Sequence, residues 1–209
     1  MSDTYFTQFG LPPHLHIDTA ALEKSFYAQS RKLHPDRFAA RPLEEQNAAL
    51  AASSTLNDAY RTLRDPIART EYLLTLEGIQ LEEQSRAATD LAKSTGTQKK
   101  QVAPPDLLEE AFELNMALEE LKMGGDDPYV RAQLETERTK FAAMLTDAHQ
   151  QLESLWTQWD TAVDTNNAAA KDAAKQAMVA LLNRRSYIRN LVRDVNAALE
   201  EFPEHLREP

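Results

Sequence analysis

Apolar residues recur with the period of an α-helix along most of the chain. In the N-terminal part, Asp18 is a typical N-cap, and the helix that it opens should end at Leu33, because a residue that precedes proline avoids helical backbone angles. A second helical pattern follows Pro42 and another follows Asp65, and a short one covers residues 4–10. The pattern predicts a helical hairpin whose tip carries the sequence HPDRFAARP.

The periodicity is lost in the middle of the chain and then returns. The segment KSTGTQKKQVAPP is polar and contains glycine and proline, which is typical of a linker. Helical patterns then begin at Asp106, near residue 128 and near residue 167, and short connections favour an antiparallel arrangement. We therefore predict an all-α protein made of a helical unit at 1–78, a linker at 79–105 and a three-helix bundle at 106–209.

The composition suits a helical protein that binds no nucleic acid. Glycine is scarce, with five residues among 209, whereas the good helix formers alanine, leucine and glutamate are plentiful. The formal net charge of −10 divides into −2 over residues 1–78 (8 Lys and Arg minus 10 Asp and Glu) and −8 over 79–209 (15 minus 23). Such acidity argues against a polyanionic partner, and the uneven division suits two parts with different partners.

Cysteine usage and the N-terminus narrow the function classes further. The chain has no cysteine, which excludes disulfides, thiolate metal sites and a cysteine nucleophile. The first residues, MSDTYFTQFG, have neither the basic nor the apolar region of a signal peptide, and no apolar run is long enough to span a bilayer. We expect a cytoplasmic protein with no membrane partner.

The loop between the first two long helices combines His34, Pro35 and Asp36. A single histidine at a helix connection is usually structural or solvated, and the tripeptide alone arises by chance in roughly a few per cent of chains of this length. Here the tripeptide follows an amphipathic helix with cations on its exposed face and precedes an alanine-rich helix. That context favours a functional loop.

With this context, residues 4–78 resemble a J-domain, the activating module of co-chaperones of DnaK-class chaperones. The segments YFTQFGLP, RKLHPDRFA and STLNDAYRTLRDPIARTEYLL, with the acidic helix after Asp106, resemble more narrowly the HscB family of iron–sulfur cluster biogenesis. The resemblance covers nearly the whole chain. It implies a co-chaperone that delivers an IscU-type scaffold protein to an HscA-type chaperone, stimulates ATP hydrolysis by that chaperone and so aids cluster maturation and transfer.

The resemblance assigns the chaperone contact to the loop and to the cations around it. Asp36 would engage a cationic group of the chaperone and His34 would donate or accept a hydrogen bond. A merely solvated basic face is an equal alternative for any single cation. Tyr27 and Ala28 stand where general J-domains often carry basic residues, which suits a dedicated chaperone. The implied contact residues are Lys24, Arg31, Lys32, His34, Pro35, Asp36 and Arg37.

The resemblance assigns scaffold binding to the first helix of the C-terminal part and to one residue of the last helix. Phe112 and Met116 could equally belong to the core, because apolar residues at helical spacing usually do. Glu109 departs from the family, which tends to have an apolar residue there. The implied contact residues are Leu108, Phe112, Glu113, Met116, Glu120 and Tyr187.

Two other functions compete with this interpretation. The protein could be a J-protein for a different client of a DnaK-class chaperone. An enzyme would need converging polar groups, and the sequence offers none. The pair His14 and His16 lies in a proline-rich turn, where we expect it to be solvated. We expect no catalytic residues, no cofactor and no bound metal.

Overall fold

The computed structural model describes residues 4–79, 81, 104–124 and 127–201. These residues form α-helices and 3₁₀ turns and contain no β-strand, which confirms the predicted all-α class. The 3₁₀ turns are Pro35–Arg37 and Pro105–Leu107. The helices are α1 (Tyr5–Gln8), α2 (Thr19–Leu33), α3 (Leu43–Arg64), α4 (Pro66–Leu76), α5 (Leu108–Gly124), α6 (Pro128–Asp164) and α7 (Ala168–Glu201).

The contacts between residues divide the chain into two compact units. The first unit comprises Met1–Gln80 with Leu155–Gln176, and the second comprises Leu81–Ser154 with Ala177–Pro209. Both α6 and α7 therefore contribute residues to each unit. The sequence-based boundaries at 78 and 106 stay a prediction, and most of the linker predicted for 79–105 lies outside the described residues.

Helix α2 begins and ends where the sequence predicts. The side chain of Asp18 accepts hydrogen bonds from the backbone N–H groups of Ala20 (2.9 Å) and Ala21 (3.0 Å), and so satisfies donors that have no partner within the helix. The helix stops at Leu33, and His34 has extended backbone angles (φ −61°, ψ 131°), as a residue before proline requires. The loop thus leaves the helix in a fixed direction.

Helix α3 is the centre of the first unit and packs against α1, α2 and α4. Its inner face includes several alanines, which let the neighbouring helices approach closely. Ala52, at helical spacing from Ala49 and Leu56, is only half-buried. The buried residues of α3 are Ala49, Leu56, Ala59, Tyr60 and Leu63.

Residues from the end of α6 complete the first unit. The indole N–H of Trp156 donates to the Thr70 hydroxyl at 2.9 Å, and that of Trp159 donates to the Pro13 carbonyl at 2.9 Å. Asp160 accepts the backbone N–H of Leu15 at 2.7 Å. These bonds join α6 to the proline-rich turn and to α4, across about 90 to 150 positions of sequence.

His16 is solvated as expected, whereas His14 is half-buried, and both rings also contact carboxylates that the sequence did not predict. Nε2 of His14 lies 3.0 Å from an oxygen of Asp164, and Nδ1 of His16 lies 3.0 Å from an oxygen of Asp160. Asp160 also accepts the backbone N–H of His16 at 3.0 Å. The carboxylates come from a helix far along the chain, so the sequence near the histidines did not reveal them.

The second unit has its own apolar core. Helix α5 contributes one face to it, and α6 and α7 contribute the rest. The side chain of Asp106 accepts a 2.8 Å hydrogen bond from Nε of Arg184, which ties the start of α5 to α7. The buried core residues are Leu107, Ala111, Leu114, Ala117, Leu118, Leu121, Val130, Leu134, Phe141, Ile188, Leu191, Val195, Ala198 and Leu199.

Candidate partner-binding surfaces

The first surface is the loop and the end of α2, and we call it the loop surface. Its side chains point away from the core of the first unit, as the sequence predicts. Whether they contact a chaperone remains a prediction. The exposed members are Lys24, Arg31, Lys32, His34, Asp36 and Arg37.

Backbone hydrogen bonds hold the loop in shape. The Arg37 N–H donates to the carbonyl of His34 at 3.0 Å, which closes the 3₁₀ turn Pro35–Arg37. The Asp36 N–H approaches Nδ1 of His34 at 3.3 Å. The same Nδ1 lies 3.5 Å from a carboxylate oxygen of Asp36. Within the described part of the chain, Nε2 is therefore the ring nitrogen of His34 that faces no loop contact of this kind, and the exposed carboxylate of Asp36 offers acceptors to a partner.

The two arginines of the loop surface also stabilise the end of α2. The guanidinium of Arg31 donates to the carbonyl of Tyr27 at 3.2 Å, and that of Arg37 donates to the carbonyl of Arg31 at 3.4 Å. The carbonyl of Arg31 lies in the last turn and four residues before Pro35, which has no N–H, so the bond from Arg37 caps the helix. Tyr27 lies earlier in α2, so the bond from Arg31 is a contact along the helix and not a cap. From sequence, both arginines were expected to contact the chaperone or to be solvated, and the cap that Arg37 provides was not predicted.

Aromatic packing fixes α2 on α3 behind the loop surface. The rings of Phe26 and Tyr60 stack with their centroids 4.2 Å apart and 12° between their planes. The Tyr60 hydroxyl donates to a Glu23 oxygen at 3.3 Å. Loss of solvent contact and the charge of Glu23 raise the pKa of Tyr60, so this hydroxyl stays protonated at neutral pH. The loop therefore rests on a stiff hairpin.

The second surface is the outer face of α5. Leu108, Phe112 and Met116 are 55%, 68% and 59% exposed, and we call them the α5 strip. Glu113 and Glu120 are exposed beside it. The core alternative for Phe112 and Met116 is therefore excluded. Leu108 lies outside the core as well, because Leu107 and Leu114 fill the inner face of the helix.

Tyr187 lies on α7 and differs from the α5 residues. Its ring is half-buried and packs against the core of the second unit. Burial raises the pKa of Tyr187. Its neighbours Ser186 and Ile188 are buried. Tyr187 can present only part of its ring to a partner.

The described part of the chain offers neither a cluster of metal ligands nor a membrane-spanning helix. No three His, Cys, Asp or Glu side chains within the described ranges converge as metal ligands would. None of the helices described has the length and apolarity that crossing a bilayer requires.

Comparison with solved structures finds two HscB proteins with a similar fold. No protein-family model matches the chain. The fold matches the chaperone HscB from Vibrio cholerae with a TM-score of 0.60 and 26% identity, over 96% of this chain and 100% of that one. It also matches the human co-chaperone HscB with a TM-score of 0.57 and 20% identity, over 97% of this chain and 84% of that one, which shows a shared fold. The sequence motifs and the likeness to the Vibrio cholerae protein agree, and together they support an HscB-type co-chaperone.

Proposed function

We propose that the protein brings an IscU-type scaffold of iron–sulfur cluster assembly to an HscA-type chaperone and stimulates ATP hydrolysis by that chaperone. The observation that carries this proposal is the presence of two exposed surfaces, the loop surface on the first unit and the α5 strip on the second. An adaptor needs two such surfaces, whereas an enzyme needs one convergent polar site.

The loop surface suits an acidic partner. Its exposed cations Lys24 and Lys32 lie on α2, and Asp36 adds one anion at the tip. Cations of this kind accelerate encounter with a negatively charged surface, and the effect weakens as salt is added. The Asp36 carboxylate and the exposed ring of His34 then supply short-range contacts that fix the docking geometry.

The α5 strip suits a protein partner with an apolar contact area. Large apolar side chains at the centre of an interface contribute most of its binding energy, and surrounding polar residues contribute less. Phe112 is the largest of the three and occupies the middle position, so we propose it as the main anchor.

A different client remains the second candidate. It is favoured by Glu109, an exposed acid beside Leu108, where the HscB family tends to have an apolar residue. A client with a more basic surface than the scaffold would suit this position.

Steady-state ATPase of the HscA-type chaperone, with and without the IscU-type scaffold, tests the proposal. We expect the wild-type protein to stimulate hydrolysis and His34→Gln or Asp36→Asn to abolish the stimulation. The double variant Phe112→Ala/Met116→Ala should lose only the scaffold-dependent part and weaken scaffold binding about 10- to 100-fold. Glu44→Gln, an exposed change on α3, is the control and should behave as wild type.

Each result has a distinct meaning. Stimulation that survives both loop variants would contradict the chaperone assignment. Stimulation without any effect of the scaffold would leave the J-domain function intact and favour the different client.

A further inference from the structure

The second half of the loop between α2 and α3 leads from the His-Pro-Asp tip back to α3. It comprises residues 38–42, and we call it the return segment. The N–H of Arg41 donates to the carbonyl of Phe38 at 2.8 Å and closes a turn within this segment. Phe38 is half-buried, and the other four residues are exposed. Burial alone therefore gives the return segment little support.

The side chain of Gln46 on α3 bridges two carbonyls of the return segment. Its Nε2 lies 2.9 Å from the carbonyl oxygen of Arg41 and 3.4 Å from that of Ala39. An amide NH₂ group carries two N–H donors, so one nitrogen can bond both oxygens at once. Because both partners are acceptors, the nitrogen end of the amide is the end that faces the loop. One planar group therefore sets the orientation of two peptide carbonyls on either side of Ala40.

Gln46 has a firm support of its own. Its backbone N–H donates to the carbonyl of Pro42 at 3.1 Å, at the start of α3, and the residue is half-buried. The 3₁₀ turn Pro35–Arg37 also packs against α3. The tip of the loop and the return segment therefore rest on the same helix, and Gln46 fastens the return segment to it.

The stability of α3 does not explain the two bonds of the Gln46 side chain. The N–H groups in the first turn of a helix need acceptors, and Pro42, the N-cap, offers them no side-chain bond. The Gln46 nitrogen donates to the loop, so these bonds satisfy none of those N–H groups. Ala39 and Arg41 are exposed, and water can bond their carbonyls as well as an amide does. What the two bonds change is the conformation of the loop.

We infer that Gln46 is a positioning residue of the loop surface, which fixes the return segment and thereby keeps His34 and Asp36 in one arrangement. This inference rests on the proposed function and deepens it, because the arrangement matters for function only where the loop surface meets a chaperone. Positioning has a specific signature. When only a fraction of the molecules has the competent arrangement, the apparent affinity for the partner falls by that fraction, whereas the response at saturation is unchanged.

Hydrogen exchange of the Arg37 and Arg41 N–H groups in the full-length protein, measured by NMR methods for fast exchange, tests whether Gln46 holds the loop. Gln46→Met keeps side-chain length and helix propensity but has no N–H donor. We expect both N–H groups to exchange about 3- to 10-fold faster in this variant, because the loop opens more often, with no change in the middle of α2 and α3. Gln46→Lys retains donors on a chain of similar reach and should restore slow exchange.

Gln46→Glu and Asn47→Asp form a matched pair. Each replaces an amide by a carboxylate near the start of α3, where the helix dipole favours an anion. Gln46→Glu removes the donors and sets an anion beside two carbonyl oxygens, so it should accelerate exchange at least as much as Gln46→Met does. Asn47 is exposed, and Asn47→Asp should exchange as the wild-type protein does. The urea unfolding midpoint, measured for each variant, should stay unchanged.

The ATPase of the HscA-type chaperone, titrated with each variant, tests the consequence for function. Gln46→Met and Gln46→Glu should raise the concentration that gives half-maximal stimulation about 3- to 10-fold and leave the maximal stimulation unchanged. His34→Gln should instead abolish stimulation at every concentration, because it removes a contact group itself. Asn47→Asp should match the wild-type protein in both values.

The outcomes separate this inference from the proposed function. Unchanged exchange in Gln46→Met would show that Gln46 does not hold the loop, and the inference would be wrong. Faster exchange with an unchanged half-maximal concentration would refute the positioning role and leave the proposed function intact. If Gln46→Met lowers the maximal stimulation and the urea midpoint together, Gln46 has a structural role only. If the wild-type protein stimulates no HscA-type chaperone, the proposed function itself falls, and the positioning role falls with it.

Discussion

Single ion pairs connect distant parts of each unit, and the pair between Asp106 and Arg184 is the clearest example. The hydrogen bond and charge of Arg184 hold the pKa of Asp106 below its ordinary value of 3.8. The carboxylate is 57% exposed, so water and salt screen much of this interaction. The pair therefore positions the start of α5 more than it stabilises the fold.

This lowered pKa predicts a pH-dependent contribution to stability. A carboxyl whose pKa is lower in the folded than in the unfolded state stabilises the fold above its unfolded pKa, and the contribution is lost as pH falls through the folded pKa. We expect Arg184→Gln to lower the free energy of unfolding by less than about 1 kcal/mol at pH 7 and to have no effect well below pH 3.8. Urea unfolding followed by circular dichroism at several pH values checks this.

Two controls isolate the contribution of the Asp106–Arg184 pair to stability. In an Asp106→Asn background, Arg184→Gln should change stability equally at every pH. High salt should reduce the wild-type difference. A pH-independent effect of Arg184→Gln in the wild-type background would contradict the assignment.

At the scale of the element, close packing of α3 holds the hairpin that carries the loop surface. Ala59 is fully buried on α3, and Phe26 of α2 stacks on the adjacent Tyr60. A methyl group is the largest side chain that such a contact accommodates without displacement of the neighbouring helices. The direction in which His34 and Asp36 point therefore depends on close packing at a buried alanine of α3.

Enlargement of Ala59 should destabilise the first unit. We expect Ala59→Leu to lower the free energy of unfolding by about 1–3 kcal/mol, because the added volume overpacks the core. Both tryptophans of the chain belong to the first unit, so tryptophan fluorescence in urea reports its unfolding. Ala51→Leu, at an exposed position of the same helix, is the matched control and should stay within about 0.5 kcal/mol of wild type. Equal effects of the two changes would contradict close packing at Ala59.

At the scale of the whole molecule, the first unit is discontinuous in sequence. Residues 155–176 belong to it and supply Trp156, Trp159 and Asp160. The Arg69 guanidinium, which is buried, lies 5.2 Å from the centre of the Trp156 ring. If residues 155–176 are removed, the Pro13 carbonyl and the Thr70 hydroxyl lose the indole N–H groups that donate to them, and the Leu15 N–H loses its carboxylate acceptor.

A fragment of residues 1–80 should therefore be less stable than the same residues in the full chain. Hydrogen exchange measured by mass spectrometry should show lower protection of α2, α3 and α4 in the fragment. In the full chain, Asp160→Ala should shift protection in the same direction, because it removes the acceptor of the Leu15 N–H, and its cost should be about 1–3 kcal/mol. Asp164→Ala, whose exposed carboxylate pairs only with His14 among the bonds described, should cost less. Equal protection of fragment and full chain would contradict the discontinuous unit.

The sequence by itself determined the helices and the residues at the loop. Asp18, Asp65 and proline signals act within a few residues of backbone, so the limits of α2 and α3 and the start of α4 followed from local chemistry. The helical period also separated the buried face of α5 from its outer face, except at two residues. It did not decide whether Phe112 and Met116 belong to the core, because periodicity shows that residues share a face but not whether a neighbouring helix covers that face.

Only the tertiary structure decided which residues are brought together from distant positions. It exposed the α5 strip, placed Leu108 outside the core and buried part of Tyr187. It paired His14 and His16 with carboxylates about 145 to 150 positions away, and it assigned the end of α6 to the first unit. These outcomes depend on how complete helices pack against one another, and packing joins side chains without regard to their separation along the chain.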